Sequence, residues 1–135
     1  MNRRLPRRHA VPACVLALGL LIAGCAEQPR PAGLADVIDR PAEKALLTGM
    51  RAYDDAQYAD AEASLNTALG AGLASPRDKA TAYKLLAFIY CTSDRVAQCE
   101  QAFRSARQAD PNFALSRSEA GHPLWGPVYR KAAGG

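Results

Sequence analysis

The sequence is poor in the patterns that carry chemistry. It contains no Gly-x-Ser-x-Gly, no phosphate loop and no paired cysteine–histidine arrangement. Its two histidines are His9 and His122, and its four cysteines include none with zinc-ligand spacing to a histidine. No acid occurs before Glu27, and no apolar run reaches the roughly 20 residues that a bilayer-spanning helix needs. No titratable cluster presents itself as an acid/base site, since Asp54 and Asp55 border a turn and serve to cap and solvate it. These absences argue against an enzyme, a metal centre and a membrane-spanning protein, and the reading calls for no cofactor and no small-molecule substrate. The formal charge of +4 hints at nucleic acid or an anionic membrane surface. That hint fails on position. Arg3, Arg4, Arg7 and Arg8 account for the whole excess, and from Cys25 onward thirteen Lys and Arg balance thirteen Asp and Glu.

What is present begins with an address. Residues 1–10 are basic, and residues 11–23 are apolar but too short to span. A basic start, a short apolar stretch and small residues describe a secretory signal peptide. The stretch ends Leu21-Ile22-Ala23-Gly24-Cys25, which resembles the lipobox of bacterial lipoproteins. The resemblance implies a signal over residues 1–24, cleavage before Cys25, and acyl chains on Cys25. Several chains anchor firmly, because each buried methylene contributes about 0.8 kcal/mol. Ala26 follows the anchor where an Asp would mark retention, and by resemblance to lipoprotein sorting this favours the outer membrane. Residues 25–40 form the lipidated cysteine and a tether, in which EQPRPAG (27–33) holds two prolines and a glycine.

Residues 41–135 form the expected domain, all-α. Pro41 suits a first helical position, and Leu46, Leu47, Met50 and Tyr53 recur at helical spacing. A second helix is expected over 58–69, stopped by Gly70 and Gly72. Ser75-Pro76-Arg77-Asp78 reads as a cap and start for a third helix ending near Cys91, and a fourth is expected over 95–108. A shift of 38 residues superposes Gly49 on Ala87, Ala61 on Cys99, Leu65 on Phe103 and Ala68 on Ala106. Small residues then meet small ones and large apolar residues meet large, as close helix packing requires. The spacing Tyr83-x2-Leu86-Ala87-x2-Tyr90-x8-Cys99-x3-Phe103-x2-Ala106-x4-Pro111 resembles the tetratricopeptide repeat. The first unit departs from it at Thr48, Ala52 and Leu73, and a generic four-helix bundle is the alternative. Two repeats leave bare ends, so a cap is expected. Leu124, Trp125, Val128 and Tyr129 make a stripe suited to a short capping helix on the fourth, with Trp125 expected in the cap core, the alternative being an exposed anchor for a partner.

The strings Pro111-Asn112-Phe113-Ala114-Leu115 and Gly121-His122-Pro123-Leu124-Trp125-Gly126-Pro127-Val128-Tyr129-Arg130 are distinctive. With Phe88-Ile89-Tyr90-Cys91 and Cys99, they resemble the small tetratricopeptide lipoproteins associated with type VI secretion, the TssQ type. The resemblance implies a periplasm-facing outer-membrane lipoprotein, accessory to a contractile secretion machine and without enzymatic activity. Other lipid-anchored repeat proteins serve outer-membrane assembly, pili or the cell wall, and those uses stay open.

Cys91 and Cys99 are an even pair in an oxidising compartment, which suggests a disulfide, the alternative being two buried thiols. His122, between Gly121 and Pro123, suits a hydrogen-bonding role in a turn. In tetratricopeptide proteins the first helix of each repeat lines a concave face. Leu46, Met50 and Tyr53 from the first unit, with Lys84 and Phe88 from the second, are expected to face outward there. An apolar groove with one cation suits a peptide partner. The alternative is that the cap helix or residues 26–40 fill it.

Overall fold

The computed structural model describes Gly33 and residues 40–134. The signal, Cys25 and most of the tether lie outside the described residues. Those residues belong to one compact unit, Ala32–Gly135, which is all-helical, with no strand among its described residues. Six helices are present among the described residues: α1 (Pro41–Asp54), α2 (Tyr58–Ala71), α3 (Pro76–Thr92), α4 (Val96–Ala109), α5 (Arg117–Ala120) and α6 (Gly126–Gly134). The longest packing seams run between α1 and α2 and between α3 and α4, and α6 lies against α4.

The ends of these helices follow from local chemistry. Pro41 and Pro76 sit at first-turn positions, where the missing N–H costs nothing. Ser75 Oγ accepts from Asp78 N at 3.2 Å and caps α3. α2 does not stop at Gly70, as its sequence suggests. It runs one residue further to Ala71 and ends at Gly72, whose φ of 86° only glycine adopts without cost. Helix propensity penalises Gly70 but does not terminate the helix while its hydrogen bonds continue.

The two helix pairs repeat each other at the same 38-residue offset. α2 and α4 start at Tyr58 and Val96 and end at Ala71 and Ala109. Each pair turns through one left-handed residue, Ala56 (φ 58°) and Asp94 (φ 59°). Each turn is then closed by a hydrogen bond of 2.8 Å, from Gln57 N to Ala52 O and from Arg95 N to Tyr90 O. That is the Schellman pattern, which satisfies the orphan carbonyls of a helix end. Ala61 and Cys99, Leu65 and Phe103, Ala68 and Ala106 are all fully buried. Gly49 has no side chain to hold Leu65 away, since an added Cβ would lie 2.8 Å from Leu65 Cγ. Ala87, at the matching position, is fully buried.

The pairs differ where their neighbours differ. Ala82, Leu85, Leu86 and Ile89 of α3 are buried, while the matching α1 residues Lys44, Leu47, Thr48 and Arg51 are exposed. Three of these four α1 residues are polar or charged, which suits that face of α1 to water. The opposite edge is covered by α6. Tyr129 meets Phe103 at 5.3 Å, and Lys131 reaches Glu100 at 2.7 Å. Leu73 also matters, although its loop setting hides it in the sequence. It is 1% exposed and fills the space beneath the α2–α3 connection.

Candidate functional site

The face shared by α1 and α3 carries the five residues expected to contact a partner. Met50 and Tyr53 are half-buried on α1. Leu46 and Phe88 depart from the outward-facing expectation: they are 6% and 4% exposed. For Phe88 the physical reason is visible. It meets Phe103 edge-on at 6.1 Å, and Trp125 stacks on it at 4.3 Å, so it is held between the α4 core and the C-terminal segment. Lys84 is half-buried, lies 5.8 Å from the Phe88 ring centre, and donates to Glu119 Oε1 at 2.8 Å.

Electrostatics at this face are negative around Tyr53. Burial pushes its hydroxyl above the ordinary tyrosine range, and Tyr58, Asp54 and Glu119 add to the rise. Burial works to raise the Glu119 carboxyl as well. The Lys84 ammonium and the Ser116 donors outweigh it and hold Glu119 below the ordinary carboxylate range. An open cleft of about 450 Å³ adjoins Lys84 on its other side, lined by Arg77, Thr81, Asp110, Asn112 and Phe113.

Two constellations escaped sequence reasoning. The first is a clasp between the helix pairs. Arg95 donates to both oxygens of Glu62, at 2.9 and 2.6 Å, while its guanidinium lies over Tyr90 at 4.5 Å. This fork holds the Glu62 carboxyl below its ordinary range. No local pattern announces a contact across 33 residues. The second is Glu119, and here a signal exists. Ser116 and Glu119 form a capping box, legible as Ser-x-x-Glu.

Cys91 and Cys99 are joined in a disulfide, and their Cα–Cα distance of 5.3 Å lies inside the usual geometric window. Both are buried. His122 stacks parallel on Trp125 at 3.4 Å, and its Nδ1 accepts from Leu124 N at 3.3 Å, a turn-forming contact. Trp125 is half-buried and precedes α6, and Leu124 is 54% exposed. Among the described residues no group of three or more His, Cys, Asp or Glu is placed to share a metal ion. None of their buried side-chain nitrogens or oxygens lacks a partner. No helix among them is long and apolar enough to cross a membrane. The arrangement offers contact surface, ion pairs and stacked rings. No family model, curated protein or solved structure matches the chain.

Proposed function

We propose that the chain is a lipid-anchored adaptor: an outer-membrane lipoprotein, facing the periplasm, that uses two tetratricopeptide-like hairpins and a C-terminal cap to hold protein partners. The observation that carries this reading is the 38-residue repetition of helix pair, left-handed turn and buried small–large–small pattern. Repeats of this kind present extended surfaces for protein contact. The string ending in Cys25 supports the lipid anchor, and the tail strings support a role accessory to type VI secretion. The reading assigns no catalytic residue, metal, cofactor, nucleic acid or small-molecule substrate.

A second reading is an envelope structural or assembly lipoprotein without a dedicated peptide groove. The covered state of Phe88 favours it. One variant separates the two. Met50 is half-buried on the face, so Met50→Asp places a charge there without emptying the core. Crosslinking and recovery from intact cells should lose the partner at least about tenfold with Met50→Asp, a loss of the size expected for an interface anchor. Helical circular dichroism should stay unchanged. Undiminished capture removes the groove and leaves the structural reading. Phe88→Asp does not serve, because it buries a charge in the core.

A further inference from the structure

On the α3 half of the face the chain covers itself. Residues 116–125 leave the buried Leu115, form α5, turn at Gly121 and reach α6 at the buried Gly126. Glu119 is the hub of this segment. Its Oε1 accepts from Lys84, its Oε2 accepts from Ser116 N at 2.8 Å, and its backbone carbonyl accepts from Trp125 Nε1 at 2.9 Å. Trp125 lies on Phe88 and His122 lies on Trp125.

The segment is nevertheless lightly held. None of its ten residues is buried, and among the helices α5 packs only against α6. Its grip on α3 is one partly exposed ion pair and one ring stack. Its two ends are anchored independently, by Leu115 and by the packing of α6 on α4. Local opening is easiest where few apolar groups are buried, and this stretch packs only Ala120 and Trp125, both partly exposed, against the core, with Arg130 donating to Ala120 O. Beneath it lie an aromatic ring and a cation, Phe88 and Lys84.

We infer that residues 116–125 are a displaceable strap, an internal ligand of the α3 half of the partner face. It opens without unfolding the helix pairs. A partner that replaces it must supply what it supplies: a carboxylate for Lys84 and a flat aromatic ring for Phe88. The partner is therefore a peptide segment carrying an acidic and an aromatic residue about six positions apart, as Glu119 and Trp125 are. This rests on the groove reading for its biological use, but its test needs no natural partner.

Hydrogen exchange of the full wild-type chain gives the first arm. Amides of 117–125 should exchange at least about a hundredfold faster than those of α3 and α4, because they open below the global transition. Equal rates overturn the strap. The second arm uses a synthetic peptide of residues 116–125 added to the full chain with Trp125→Ala. Trp125 is the chain's one tryptophan, so the peptide then holds the only one in solution. Its emission should shift blue and its anisotropy rise with the variant. Substituting Glu119→Gln in the peptide should weaken binding at least about fivefold, as loss of a charge-assisted pair does. No binding by a variant that keeps its helical circular dichroism overturns the proposed partner chemistry, as does equal binding by the Gln peptide. Either failure leaves the Met50→Asp result standing, so the strap and the groove are judged separately.

Discussion

Phe103→Ala should lower the free energy of unfolding by about 4 kcal/mol, because truncating a buried Phe removes its transfer energy and leaves a cavity. The site magnifies the loss. Phe103 is fully buried, meets Phe88 at 6.1 Å and Tyr129 at 5.3 Å, and so joins α3, α4 and α6 at one point. A domain of this size has about 5–15 kcal/mol to lose, so the variant should sit close to unfolding at room temperature. Urea titration followed by circular dichroism measures it. Tyr129 should lose its ordered environment in the same transition. A loss under about 1 kcal/mol contradicts the packing described, since that is what a partly exposed residue costs.

Breaking the Cys91–Cys99 bond should cost about 2–3 kcal/mol, from the chain-entropy estimate for closing so short a loop. The sequence separation is 8, so the bond pins only the α3–α4 turn. In the first pair the same positions are Tyr53 and Ala61, and no covalent tie is possible there. Mass spectrometry of unreduced protein should find no free thiol at either position. Urea unfolding with and without reductant should then differ by the stated amount. Two free thiols, or equal midpoints, contradict the bond's role.

Much of the helical layout was legible because its signals are local. Proline at first turns, Ser75 at a cap and the small–large–small spacing of Ala61, Leu65 and Ala68 place the helices within a few residues. The disulfide pairing was legible because eight residues and one turn leave little freedom. The groove was less so. Spacing says that Phe88 lies off the α3–α4 seam, but not that a distant segment returns to cover it. Spacing alone predicts Leu46 and Phe88 outward-facing, and both are buried. Glu119 shows the same limit from the other side. Its capping box is local and readable, while its bond to Lys84 spans 35 residues and has no sequence trace. Gly70 reads as a stop and acts as an interior helix residue, because a stop depends on backbone conformation and only Gly72 adopts the left-handed one.

The charge balance points the same way as the proposed role. With four arginines ahead of residue 9 and parity from Cys25 onward, the proposed attachment would rest on the lipid and not on a basic surface. The most direct measurement is the intact mass of the protein extracted from the outer-membrane fraction of its own cells. The expected result is a chain that begins at Cys25, carries the added mass of acyl groups on that residue, and returns to the soluble fraction with Cys25→Ser. A chain that retains residues 1–24, or one that is soluble and unmodified at Cys25, would contradict the lipid-anchored adaptor at its root.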